Sequence, residues 1–404
     1  MEVRRSLITI AIIHIMVFLI GFAFLGRSFE LLYLLLLYVG IKGRSRKLTR
    51  RGLTLFLLGV TISVFTLINY NDSIVIIVLK SLVYWCSYQI GLSIGSLNER
   101  NRTRFDLQVF NFLFCFAFGC WLRYVIDVAL SWSTVLKHHR WITDLWTHTE
   151  TTATIGAGWC IPLACIFYYT LVSKNIPRTL KFVVGVQVLV SFFFNILTGT
   201  RTFLLILLMT SILTYVLHYT KGKNDKKNVA KVTGVIISII LICVFMYANN
   251  SFGIRDMIQS STLLMRLSQG ELSTSALDSN GRFERIIFAI KNIDKIFWGG
   301  SYCERTGNRI HNWIFQCLDL YGVISACMLF VVAINVAKIY FAYIKCNQVT
   351  VDTKIIVFAT LVTFFAYSMI EPVLTSNNIV MSVFFAVGGI LDNKRKDIRH
   401  ERLY

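Results

Sequence analysis

Residues 280–325 read NGRFERIIFAIKNIDKIFWGGSYCERTGNRIHNWIFQCLDLYGVIS. The stretch opens in a polar segment with arginines at Arg282 and Arg285. It passes a Gly-Gly pair, Gly299 and Gly300, and at His311-Asn312 it enters a run that stays apolar to roughly residue 337. A polar segment yielding to an apolar run of that length is the signature of a chain entering a bilayer. The rest of the sequence repeats the pattern.

Hydrophobic residues make up 55% of the 404 residues and charged residues only 15%, against a usual share of about 25% charged. The excess is concentrated in blocks of roughly 17–23 apolar residues, close to the ~20 that a helix needs to cross the hydrocarbon core. Only three prolines occur, Pro162, Pro177 and Pro372, so most of these runs are free to form unbroken helices. The net charge of +20 belongs to the loops, where lysine and arginine hold segments on the cytoplasmic side. No DNA- or RNA-reading motif accompanies it, and a nucleic-acid partner is not expected. Eight of the ten cysteines lie in apolar runs, with only Cys303 and Cys346 in polar segments, which excludes a disulfide framework or a CxxC metal or redox site. The N-terminal run after Arg4 and Arg5 resembles a signal peptide but is too long and lacks a small-residue cleavage site, so it reads as the first span.

The pattern predicts an all-α polytopic membrane protein of about twelve spans, at roughly 7–25, 29–41, 53–69, 73–95, 107–130, 154–173, 181–198, 202–219, 232–248, 312–337, 355–371 and 378–391. Alternate loops then carry about 27 and about 12 basic residues, which places both termini in the cytoplasm. Residues 1–404 form a single integral membrane domain in this reading. Two outer loops are long, 131–153 and 249–311. The second is expected to hold an amphipathic helix.

Within that helix Phe283, Ile286, Ile290, Ile293 and Phe297 recur at helical spacing. They form one stripe, with Glu284, Lys291 and Lys295 opposite. The stripe is expected to face the protein. Arg282 falls on that apolar side and Arg285 at its edge, and an inward arginine needs an anionic partner. At the head of the tenth span Asn312, Gln316 and Asp319 project within about 60° of each other, a polar track below His311. Intramembrane polar groups usually face a cavity or another helix. Arg201 stands at the turn Thr198-Gly199-Thr200-Arg201, where its planar fork suits phosphate oxygens. Lys80 lies in the fourth span with no partner in its own helix, and Arg123 and Asp127 form an i,i+4 pair in the fifth. Together Lys80, Arg123, Asn312, Gln316 and Asp319 suggest a polar outer-facing cavity. The 131–153 loop carries Trp132, Trp141 and Trp146 with His138, His139 and His148. The histidine spacing fits no zinc pattern, and interfacial tryptophan is the ordinary reading.

In order along the chain, Arg201-x3-Leu205, Gly281-Arg282, Gly299-Gly300 and His311-Asn312-x9-Gly322 resemble the O-antigen polymerase and O-antigen ligase superfamily. So does the layout, with its long outer loop ending at the histidine. Glu371-Pro372 before the last span is a weaker echo. The resemblance implies a GT-C-like membrane glycosyltransferase of the bacterial cytoplasmic (inner) membrane, acting without metal or other cofactor. Its donor would be an oligosaccharide on polyprenyl pyrophosphate. Arg201 and Arg282, with Arg285 as a further candidate, would hold the pyrophosphate, and His311 would be the catalytic base on the acceptor hydroxyl. Partners would be the lipid bilayer, lipid-linked oligosaccharides, a chain-length regulator and a flippase of the same pathway. The favoured expectation is polymerisation of repeat units into O-antigen, capsular or exopolysaccharide. The alternatives are an O-antigen ligase acting on lipid A core, or a lipid-linked sugar flippase. A major-facilitator transporter is disfavoured because the loop GIKGRSRKLTRRG (residues 40–52) has no acid.

Overall fold

A computed structural model describes residues 2–42, 49–69, 73–99, 104–136, 141–221, 249, 282–376 and 378–400. The helices follow in chain order as α1 Glu2–Gly21, α2 Ser28–Lys42, α3 Arg50–Asn69, α4 Ile74–Ser81, α5 Val83–Glu99, α6 Phe105–Leu130 and α7 Trp132–Leu136. The strands β1 Trp141–Thr143 and β2 Glu150–Thr152 come next, followed by α8 Ala153–Gly158, α9 Ile161–Val172, α10 Arg178–Leu197 and α11 Thr202–Lys221. The last group is α12 Arg282–Lys291, α13 Ile293–Ile296, α14 Tyr302–Arg305, α15 Trp313–Lys345, α16 Val351–Ile370, α17 Val373–Ser376 and α18 Asn378–His400.

Among the described residues seven helical stretches are long and apolar enough to cross a membrane, or eight if the bent pair α4–α5 is one span. The chain is a helical, multi-pass membrane protein. The first two expected spans are shorter apolar helices, Ile8–Gly21 and Ser28–Ile41. The expected span at 232–248 lies outside the described residues. Among the described residues one feature departs from an all-helical chain. In the 131–153 loop β1 and β2 pair antiparallel, with Ile142 opposite Thr151.

The chain divides into two compact units. The first comprises Met1–Gly119, Asn280–Gln348 and Phe364–Tyr404. Here α5 and α18 approach backbone to backbone. A Cβ on Gly91 would collide with the carbonyl of Ala386, and one on Gly389 with that of Tyr88. Small residues are the usual means of close helix contact in a bilayer, where lipid offers no hydrophobic drive to pack. Near this contact Asp392, only 8% exposed, is held by Arg51 Nη1 at 2.8 Å and by the Tyr88 hydroxyl at 2.5 Å. A buried carboxylate needs such partners to stay ionised.

The second unit comprises Cys120–Ser279 and Val349–Thr363. Its outer feature is the hairpin, which is fastened to the end of α6 by charge. Arg123 pairs with Asp144 and lies 3.6 Å from Asp127, with its guanidinium 4.4 Å from the centre of the Trp159 ring. Asp144 also accepts from the backbone amides of Trp146 and Thr147, each at 2.9 Å, and Asp127 from that of Leu145 at 2.9 Å. Burial pushes the Asp144 carboxyl upward, but the amide bonds and Arg123 outweigh it and hold the group below its ordinary value of 3.8. Arg123 is thus committed to fixing the hairpin, through Asp144 and Asp127.

Candidate functional site

The site is built at the head of α15. Asn312 is its N-cap: the backbone there is extended (φ −123°, ψ 129°), and Oδ1 accepts from the amides of Ile314 and Phe315 at 3.1 and 3.2 Å. Capping of this kind satisfies donors that a helix start leaves unpaired. The flanking Ile310 and Trp313 are buried at 2% and 4% exposure. His311, between Ile310 and the cap, therefore stands at a fixed point where loop becomes helix.

Two charged residues meet its ring. Arg285 Nη1 lies 3.0 Å from Nε2 of His311, and the same nitrogen reaches the carbonyl of Arg309 at 3.3 Å. Glu371 Oε2 lies 3.8 Å from Nδ1. Arginine has donors and no acceptor, so in the neutral ring Nε2 must be the lone-pair nitrogen. The proton then sits on Nδ1, on the side of Glu371. Glu371 is buried, 4% exposed, and precedes Pro372 just beyond the end of α16. An acid at the close of an apolar run is uncommon, and that is the signal in the sequence that points to it.

Arg285 reaches His311 because α12 is turned the opposite way from the sequence expectation. Ile290, Ile293 and Phe297 are 52%, 48% and 39% exposed, whereas Ala289 and Ile296 are fully buried. The inward line is therefore Arg285, Ala289, Asn292 and Ile296, at spacings of four, three and four. Ile290, Ile293 and Phe297 face outward, and the small Ala289 marks the protein-facing side. Lys291 and Lys295 are exposed as expected. Arg282 is the first residue of α12, and its side chain lies outside the described residues.

The polar track below His311 is spoken for by backbone. Besides its cap, Asn312 points Nδ2 at Met369 Sδ, 3.4 Å away. Gln316 Oε1 accepts from the amide of Leu374 at 3.0 Å. Asp319 accepts from the amides of Cys303 at 2.8 Å and Glu304 at 3.3 Å, capping the short α14. None of the three lines the cavity of unit one described below. Cys303 is buried against this carboxylate. Burial first, and then Asp319, push its thiol up to about 12.

Gly322 explains the glycine that follows His311-Asn312. At φ 78° and ψ 175° it breaks α15, which leaves backbone groups without helical partners. The Gly-Gly segment supplies them. Gly299, Gly300 and Ser301 all have positive φ, at 85°, 93° and 59°. The turn directs the amides of Gly300 and Ser301 to the carbonyls of Leu320 and Asp319, at 3.4 and 2.8 Å. The amide of Val323 donates to Phe297 O at 2.8 Å. A Cβ on Gly299 would come within 2.9 Å of the Gly322 nitrogen. Irregular backbone in a spanning helix persists only where its polar groups are met.

Of the remaining expected site residues, Lys80 lies in the last turn of α4 and lines the cavity of unit one. Arg201 belongs to the second unit. It is half-buried at the start of α11, after a turn in which Gly199 has φ 68° and the Thr200 amide donates to Asn195 O at 2.9 Å. Against known proteins, the chain matches no family model and no curated sequence.

Proposed function

We propose that the chain is a membrane-embedded glycosyltransferase. It would polymerise polyprenyl-pyrophosphate-linked oligosaccharide units at the outer face of a bacterial cytoplasmic membrane. The observation that carries this reading is the placement of His311 between Arg285 and Glu371. Transfer requires the acceptor hydroxyl oxygen to bond to the anomeric carbon of the donor. The bond from that carbon to the phosphate oxygen breaks, its electron pair leaves on the pyrophosphate, and the hydroxyl proton goes to a base. His311 Nε2 supplies the lone pair, and Glu371 beside Nδ1 steadies the imidazolium that forms. Arg285 covers Nε2 at 3.0 Å. A departing pyrophosphate offers the guanidinium a better, bidentate partner, so donor binding draws Arg285 away and uncovers the base. Fixed positive charge at the leaving group is also where electrostatic catalysis has most effect.

The test is complementation of a strain that builds the matching lipid-linked unit but lacks its polymerase. The wild-type chain is expected to restore a ladder of polymer lengths, and His311→Ala to leave single units. A full ladder from His311→Ala would overturn the proposal. Restored attachment of single units to lipid A core, with no ladder, would place the enzyme among ligases.

A further inference from the structure

Unit one holds a cavity of about 450 Å³, within the ~300–1,000 Å³ range of small-molecule sites. It forms where two interrupted helices come together. Lys80, Ser81 and Tyr84 line one wall, on either side of the 51° bend between α4 and α5. Leu320 and Tyr321 line another, just before the break at Gly322. Broken spans usually mark ligand sites in membrane proteins, because irregular backbone survives there only in protein or beside a polar cavity. The backbone at the first bend is tied off: Tyr33 donates to Leu79 O at 3.1 Å and Asn378 to Lys80 O at 3.4 Å.

The lining has a definite charge pattern. Lys80 contributes one ammonium, and among the described residues no carboxylate lies within 4.0 Å of it. Glu304 contributes one carboxylate, whose ion-pair partner is Arg309 at 3.8 Å. Phe29, Ile62, Ile76 and Ile77 make the rest of the wall largely apolar. The exposed face of α4 continues it, with Ile74, Val75 and Ile76 at 64%, 66% and 46% exposure. A pyrophosphate head fits poorly, because it would bring several negative charges to a lining with one lysine and one carboxylate. A ligand with one anion, one cation and an apolar chain fits each part.

We propose that this cavity binds the head of a zwitterionic phospholipid with a primary amine. Its phosphate would meet Lys80, its ammonium Glu304, and its chains would leave along Ile74–Ile76. The assignment does not depend on the glycosyltransferase reading and uses none of its residues.

The experiment delipidates the full-length protein in detergent and adds defined lipids, with native mass spectrometry and thermal shift as readouts. Phosphatidylethanolamine is expected to be retained about tenfold over phosphatidylglycerol. Lys80→Met should lose that retention, and Glu304→Gln should erase or reverse the preference while keeping binding. The two substitutions conserve size at exposed positions, and an unchanged thermal midpoint of the delipidated protein checks folding. Wild-type protein that prefers phosphatidylglycerol would overturn the proposal, as would Lys80→Met retaining phosphatidylethanolamine. Free phosphoethanolamine stabilising the protein as well as the lipid does would overturn the lipid source. Lipid selectivity that survives in an inactive His311→Ala chain keeps this site apart from the catalytic proposal.

Discussion

Glu371 Oε2 stands 3.8 Å from Nδ1 of His311, on the opposite side of the ring from Arg285. One residue precedes the N-cap of α15 and the other follows the end of α16, sixty positions apart in the chain. The ring thus has a guanidinium at Nε2, which leaves that nitrogen as the acceptor, and a carboxylate near Nδ1.

If the pair works as a unit, its members will not act additively. His311→Ala is expected to lower polymer formation by about 10²–10⁴-fold, the usual worth of general base catalysis. Glu371→Gln should cause a smaller loss, falling on turnover rather than on acceptor KM. The double variant should be no slower than His311→Ala alone. Steady-state transfer in reconstituted vesicles measures all three, and additive losses would separate Glu371 from the base.

Arg285 offers a test in two independent readouts. Arg285→Lys keeps a charge but loses the planar fork, and activity should fall by roughly 10²–10³-fold, as for other lost transition-state donors. Arg285→Ala removes the donor that covers Nε2, so His311 should react faster with diethyl pyrocarbonate, read by peptide mass spectrometry. An unchanged labelling rate would mean that the 3.0 Å contact does not protect the ring.

The break in α15 should be intolerant of side chains. Gly322→Ala places a Cβ at φ 78° and 3.0 Å from the carbonyl carbon of Trp298. The cost should be about 1–3 kcal/mol, seen as a lower thermal midpoint in detergent. Cys303 reports the same event. Its thiol, pushed up to about 12 and buried, should resist maleimide near neutral pH in the wild type and react in Gly322→Ala.

The hairpin of the second unit should be acid-labile. Asp144 is held below 3.8 in the folded chain, so its contribution is complete above that unfolded value. It is lost as pH falls through the lower folded value. Fluorescence of Trp141 and Trp146 should therefore change on acidification below about pH 4. Asp144→Asn should abolish that pH dependence at the expense of a hairpin already loosened at neutral pH.

Much of the helical plan was open to reading. The apolar runs located α3, α6, α10, α11 and α16 to within a few residues, because bilayer thickness leaves one strong length signal, whereas α15 runs on to Lys345, eight residues past the expected end at 337. His311-Asn312 was placed correctly at a helix head for the same reason. The orientation of α12 departs from the expected one: the apolar stripe is its most conspicuous face, yet the small Ala289 rather than Ile290 or Ile293 faces the protein, and no periodicity marks an inward line of Arg285, Ala289 and Asn292. Asn312, Gln316 and Asp319 looked like a track because their spacing is real, but their partners are backbone amides whose positions no spacing reveals. The strands at 141–143 and 150–152 are three residues each, too short to show a period.

Three main-chain hydrogen bonds join 297–301 to 319–323, and between these stitches the chain makes a closed excursion with His311 near its midpoint. The histidine is thus hung from both ends, like the stone in a clasped ring. Since the stitches use carbonyls and amides, they depend on backbone shape, which the positive φ of Gly299, Gly300 and Gly322 supplies. A one-residue insertion anywhere from 302 to 318 has nowhere to slide, and must be absorbed within the loop that carries the base.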